Sequence, residues 1–300
     1  MQDVSASENP VISDGLTALF NGDSKLLRPG LFLIASQFGK PQEKLYKLAA
    51  ALEMLHTATL IHDDVIDDSP LRRGLPAAHT LFGKRDAVLI GDYLLSRCFL
   101  ITAEYTSPQN AVDLARLISI ICTMEIEQNN DRWRSNLSLR SYLRKITGKS
   151  ALLFSLACYA GAREANAPKE VCYRLRRIGH NIGVAFQIID DILDYTGDQG
   201  LVRKTLGNDI TAGLITLPVL CALPLDNSST LQGIFSRETF TAEEGAAIFD
   251  IVRQSGGAEA AGVYAEKYTA RALKEISALP PGKNRDMLEI LTHRLLIRKQ

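Results

Sequence analysis

Four carboxylates, one imidazole and two guanidiniums fall within fifteen residues of the chain, Leu60 to Gly74, in LIHDDVIDDSPLRRG. Asp63 and Asp67 are four apart, and Asp64 and Asp67 three apart, so on a helix they share one face, a turn from each other. Like charges so placed repel, and the arrangement costs stability unless a cation compensates. Downstream, FQIIDDILD repeats the spacing with Asp190, Asp191 and Asp194. Hard oxygen donors on rigid helices, with no clustered imidazole or thiolate, suit Mg²⁺, which takes a few carboxylates and keeps positions open for phosphate oxygens. A single motif of this kind is by default a solvated acidic turn. Two, each set in strongly apolar sequence that draws it toward the core, point to metal. An EF-hand is excluded, because DDVIDDSPLRRG lacks the alternating ligands, central Gly and terminal Glu.

Cations accompany the acids. Arg72 and Arg73 follow the first motif directly, where guanidinium forks can grip phosphate oxygens bidentately. SKLLRPG supplies Lys25 and Arg28, ITGKSA supplies Lys149, and LVRKTLGND supplies Arg203 and Lys204. Any one of these alone reads as a surface charge. Together with two acidic motifs they suggest a site for one or two diphosphate groups, and the apolar sequence around it suggests a greasy remainder of the substrate.

The elements that position these residues are helices. Apolar residues recur at helical spacing almost throughout, and strand-like alternation is nearly absent. Helices are expected over 43–68, 84–106, 108–130, 137–159 and 169–195. SPLRRGLPAAHTLFG, with two prolines and two glycines, makes 69–83 a loop, and TGDQGLVRKTLGND reads as a second, polar loop. ALLFSLACYA and IGVAFQIIDDIL are apolar on most sides and belong to buried, central helices. No linker or repeat is visible, so residues 1–300 are expected to form a single all-α domain, a bundle of about ten helices or more.

Composition narrows the function classes. Thirty-four basic residues balance thirty-four acidic ones, which argues against a nucleic-acid partner or an anionic membrane. Five scattered cysteines (Cys98, Cys122, Cys158, Cys172, Cys221) without a CxxC argue against a disulfide framework or a zinc site and favour a reducing cytoplasm. MQDVSASENP shows no signal-peptide pattern, and the longest apolar runs are too short for a transmembrane segment.

Over nearly its whole length the chain resembles the trans-polyprenyl diphosphate synthase family. HDDVIDDSPLRRG and GVAFQIIDDILDYTGD are similar to its first and second aspartate-rich motifs. KLLRP resembles the family's GKRLRP, and EMLHTATLIHDD puts His56 at a family ligand position. MEIEQNND resembles GExxQ, YLRKITGKSA resembles YxxxIxxKTA, and GNDITAGLITLPVL resembles GKDLxxGKxTLPxL. The resemblance implies the isoprenoid synthase fold, helices around a central cavity, with three Mg²⁺ ions as cofactors. Asp63, Asp67 and Asp190 would be the main metal ligands, supported by Asp64, Asp191 and Asp194. Arg72, Lys149 and Lys204 would hold an allylic prenyl diphosphate, and Lys25, Arg28, His56 and Arg73 isopentenyl diphosphate. Phe186 and Gln187 would lie by the reacting allylic end, and Ser150 stands where the family has Thr.

The implied reaction joins an allylic diphosphate such as farnesyl or geranylgeranyl diphosphate to isopentenyl diphosphate, for isoprenoid quinone side chains such as that of menaquinone. In the family, bulky residues four or five positions before the first motif stop elongation; here Ala58 and Thr59 are small, implying a medium or long all-trans product of about thirty to forty carbons. Family members dimerise, so a homodimer, or a heteromer with a small subunit, is expected. The chain departs from the pattern at Leu26, Asn208 and Leu214, each replacing a family cation. Leu214 is also similar to the catalytic subunit of two-component heptaprenyl diphosphate synthases. A subunit dependent on a small partner, a non-catalytic regulator and a shorter-chain geranylgeranyl diphosphate synthase therefore remain open. An HD-type phosphohydrolase would use His56 and the His62–Asp63 pair but leaves Arg72, Arg73 and the second motif unexplained. A terpene cyclase would carry an NSE-type second motif.

Overall fold

The computed structural model describes residues 7–20, 25–72, 74–197 and 206–296. Arg73, Arg203 and Lys204 lie outside the described residues. In chain order the helices are α1 (Pro10–Phe20), α2 (Leu27–Ser36), α3 (Lys44–Ile66), α4 (Ala78–Tyr105), α5 (Pro108–Asn130), α6 (Leu139–Ile146), α7 (Leu152–Glu164) and α8 (Lys169–Thr196). The short α9 (Asn208–Thr211), α10 (Leu217–Ala222) and α11 (Thr230–Phe235) come next, then α12 (Ala242–Ser255), α13 (Gly257–Ser277) and α14 (Lys283–Leu296). Among the described residues, the strands are limited to β1 (Leu71–Arg72) and β2 (Leu75–Pro76). The all-α expectation holds. No described helix is long and apolar enough to cross a membrane.

The chain groups into two compact units, Met1–Ala115 with Ala157–Cys172, and Arg116–Leu156 with Tyr173–Gln300. In the first, the opening half of α3, residues 44–55, is built of strong helix formers, Ala, Leu, Lys, Glu and Met, apart from Tyr46. Leu45 and the run Leu48 to Leu55 are buried, so the first half of α3 is a core helix. It packs along α4, and Gly91 permits the approach: a Cβ there would lie 2.3 Å from His62 Nε2. Ile90, Leu94 and Cys98 of α4 complete this core.

In the second unit α8 is central. Gly179 and Gly183, one turn apart, let it lie directly on backbone, since a Cβ would come 2.3 Å from the Phe154 carbonyl oxygen and 2.5 Å from Ala151 Cα. Val184 and Ile188 join Tyr142, Ile146, Leu217, Ala261 and Ala265 in one apolar cluster. A capping box, Thr241 with Glu244, starts α12.

Three local departures from the sequence reading stand out. The helix expected over 137–159 is interrupted by a π turn at Thr147–Ala151, after which α7 runs on to Glu164. The loop 69–83 contains a small hairpin, with Leu71 paired to Pro76 and Arg72 to Leu75. α4 begins at Ala78, inside the expected loop, and Gly83, at φ 81°, breaks it, so only its uninterrupted part begins at Lys84, where the sequence places the helix. The five cysteines are free thiols, and burial pushes Cys98 and Cys158 up to about 12.

Candidate active site

In the first unit, Asp63, Asp64 and Asp67 end α3. The three carboxylates are not equivalent. Asp64 is 4% exposed, and both its oxygens accept from Arg72, at 2.6 Å from Nε and 2.5 Å from Nη2. The β1–β2 hairpin is what folds Arg72 back onto α3. Asp63 is half-buried and Asp67 exposed. Asp68, the fourth acid, lies just past the helix at φ 50° and pairs with Lys84 at 2.9 Å, so its charge belongs to the surface.

One helical turn and more upstream, His56 accepts a hydrogen bond from Arg28 Nη1 at 2.8 Å. A guanidinium can only donate, so Nε2 is the acceptor and the ring proton sits on Nδ1. Two residues from distant stretches of the sequence, expected to serve the same diphosphate, are thus in contact. Lys25 is exposed just before α2, and the neighbouring Leu26 takes a left-handed backbone, φ 44°, as the N-cap of that helix. Ala58 is fully buried and Thr59 half-buried, its hydroxyl donating to the His56 carbonyl.

In the second unit the motif on α8 repeats the pattern. Asp191 is 4% exposed; it accepts from the Tyr142 hydroxyl at 2.6 Å and from Gln187 Nε2 at 2.9 Å. Burial, then the charges of Asp209 and Asp190, push its carboxyl well above the usual range, against those two hydrogen bonds. Asp190 and Asp194 are half-buried. The Asp194 carboxylate accepts the backbone N–H groups of Asn208 and Asp209 at 3.2 and 3.1 Å, holding the GND segment against the motif. Lys149, within the π turn, pairs with Glu125 at 2.7 Å. Ser150 donates to Gln187 Oε1 at 2.5 Å, and the Phe186 ring packs on Phe154 with centroids 5.4 Å apart. Leu214 donates its backbone N–H to the Asp209 carbonyl at 2.8 Å, and Asn208 is exposed.

The donor set fits Mg²⁺. The acids are hard oxygen ligands, and burial, together with the charges of Asp209 and Asp190, raises an Asp191 carboxyl that a cation would bring down. Among the described residues, no three His, Cys, Asp or Glu side chains gather into a cluster able to hold an ion by themselves. Mg²⁺ is commonly held through one or two carboxylates together with substrate phosphate oxygens. Tyr142, Glu125 and Asp209 escaped the sequence reading although each lies in a stretch quoted for the resemblance, because hydrogen bonding to a neighbouring helix leaves no trace in spacing.

Residues 9–252 match the family model for polyprenyl synthetase. The chain belongs to the polyprenyl synthetase family. Heptaprenyl diphosphate synthase component 2 of Geobacillus stearothermophilus is 37% identical over 286 residues, 95% of this chain and 89% of that protein. The crystal structure of heptaprenyl diphosphate synthase from Staphylococcus aureus superposes with a TM-score of 0.94 at 33% identity, covering 100% of this chain and 95% of that one. Polyprenyl synthase from Caulobacter crescentus CB15, complexed with calcium and isoprenyl diphosphate, gives 0.90 at 34% identity, with 100% and 92% covered. The polyprenyl synthetase chain therefore has the isoprenoid synthase fold and is a prenyl-transferring enzyme.

Proposed function

We propose that this chain is a cytoplasmic trans-polyprenyl diphosphate synthase of one domain. It joins an allylic prenyl diphosphate, farnesyl or geranylgeranyl, head to tail to isopentenyl diphosphate. The product is an all-trans chain of about thirty to forty carbons, destined for quinone side chains, plus diphosphate. The observation that carries this reading is the repeated aspartate motif with its middle acid tethered: Asp64 by Arg72, and Asp191 by Tyr142 and Gln187. The middle acid of each motif is the buried one and the outer acids are more exposed, so in this reading Asp63, Asp67 and Asp190 are the principal ligands, with Asp194, Asp64 and Asp191 as support.

Bound Mg²⁺, three ions in this reading, supplies charge stabilisation for the departing diphosphate. Arg72, Lys149 and Lys204 bind the allylic diphosphate. Substrate arrival exchanges the Lys149–Glu125 pair, and one arm of the Arg72–Asp64 pair, for phosphate oxygens. Lys25, Arg28, His56 and Arg73 bind isopentenyl diphosphate, and the Arg28 bond fixes the His56 ring with Nδ1–H as its donor. Phe186, Gln187 and Ser150 flank the reacting allylic carbon. Apolar helix faces keep water from the allylic cation, and the condensation proton leaves with the diphosphate. Small Ala58 and Thr59 leave room for a long product.

A second reading is favoured by Leu214 and by the name of the Geobacillus relative, a component 2: the chain then needs a small partner subunit for full activity, in place of a homodimer. The test is release of inorganic diphosphate by the purified protein, with farnesyl diphosphate, isopentenyl diphosphate and Mg²⁺. Release should require both substrates and stop with EDTA. Release from either substrate alone, or in EDTA, would overturn the reading.

A further inference from the structure

A polar ladder, buried at its Tyr142–Asp191 end and half-buried at Gln187 and Ser150, crosses the second unit at the second aspartate motif. The Tyr142 hydroxyl donates to Asp191, Gln187 Nε2 donates to the other Asp191 oxygen, and Ser150 donates to Gln187 Oε1. Tyr142 is 5% exposed, so its hydroxyl has this carboxylate in place of water. Each end of the Gln187 amide is committed: nitrogen to Asp191, oxygen to Ser150. A side-chain amide with both ends engaged cannot flip without breaking two hydrogen bonds.

The π turn explains how one helical stack reaches both rungs. Tyr142 and Ser150 are eight residues apart, which on a regular α-helix turns them about 80° from each other. A π turn absorbs roughly one extra residue, so the pair behaves as seven apart and falls within about 20° of one face. Their partners on α8, Asp191 and Gln187, are four apart and share one face as well. Two matched faces thus make the ladder, and Lys149 is carried in the same π turn.

We propose that Tyr142 is a positioning residue for prenyl transfer: through Asp191 it locks the second aspartate motif and the Gln187 amide, with Ser150 as the far rung. The proposal rests on the function assigned above, in which Gln187 and Ser150 face the allylic end and Asp191 supports the metal ligands. Tyr142 itself touches neither substrate nor metal.

Tyr142→Phe removes the hydroxyl and keeps the ring. Losing a hydrogen bond to a buried carboxylate is on the scale of ten- to a hundredfold. The turnover number should fall by about that factor, while KM for isopentenyl diphosphate stays within about twofold, because its ligands Arg28 and His56 lie in the other unit. Calorimetric binding of inorganic diphosphate in Mg²⁺ should weaken about tenfold, a readout that needs no condensation. Ser150→Ala, at the half-buried end, serves as the second variant should Tyr142→Phe melt early. The double variant should lose no more than Tyr142→Phe alone, since both act through one amide. If Tyr142→Phe lowers only the melting temperature, leaving turnover and diphosphate binding intact, or if the two losses multiply, the proposal falls. If the wild type fails to extend a chain both alone and with a small partner subunit added, the assigned function falls, and the diphosphate-binding arm still decides the ladder.

Discussion

At the scale of single residues, the two aspartate motifs divide labour alike. Asp64 and Asp191 are buried and tied down by protein donors, whereas Asp63, Asp67 and Asp190 are more open. Asp63→Ala and Asp190→Ala should each cut turnover by at least about a thousandfold, the scale of losing charge stabilisation of a leaving group. Their melting temperatures should stay near wild type, since both side chains are only half-buried and the buried acids Asp64 and Asp191 are left in place; near-normal rates would refute the ligand roles. Much of this was legible. The spacing of DDVID and IIDDILD, and the arginine after the first, carried the metal and diphosphate reading directly. The inequality of the acids was not legible, because it depends on which helix face meets Tyr142 and on a hairpin too short to leave an alternating pattern.

At the scale of elements, helix length and position followed from periodicity and from Gly and Pro punctuation, as the restart of α4 at Lys84 shows. The π turn did not, because its shift to i→i+5 backbone hydrogen bonds leaves no Pro and no break in apolar spacing to mark it in residues 147–151, TGKSA. Close helix approach leads to a stability prediction. Gly183→Ala places a methyl 2.5 Å from Ala151 Cα, and the overpacking should cost about 1–3 kcal/mol, seen as a drop of several degrees in thermal melting. An unchanged melting temperature would contradict the close packing of α8 on the π turn. On α3, Thr59 is half-buried where Ala58 is fully buried. Thr59→Phe should therefore shorten the product distribution at little cost in stability, read by chromatography of the dephosphorylated products. An unaltered distribution would remove α3 as the chain-length wall.

At the scale of the whole molecule, the balanced charge and all-α class were plain from composition and periodicity. The division into two units was not. Its boundaries, 115/116, 156/157 and 172/173, fall inside α5, α7 and α8, where no Gly- or Pro-rich linker marks them. Global stability should carry a pH signature from His180. Burial first, then the charges of Arg176 and Arg271, depress its pKa, so the unfolded chain binds a proton more readily than the folded one. The stability contributed by neutral His180 is full above the unfolded value near 6.5 and is lost as pH falls through the folded pKa. Melting temperature should drop between pH 8 and pH 5.5, and His180→Gln should flatten part of that drop; an identical profile in the variant would exclude the histidine.

In the proposed function the two aspartate motifs serve the stepwise growth of a prenyl chain. The most direct test is incubation of purified protein with Mg²⁺, farnesyl diphosphate and labelled isopentenyl diphosphate, with products separated by length. Labelled polyprenyl diphosphates spaced by five-carbon units should form and accumulate at about thirty to forty carbons, from the chain alone or with a small partner subunit added. Label remaining wholly in isopentenyl diphosphate, with and without a partner, would contradict that function.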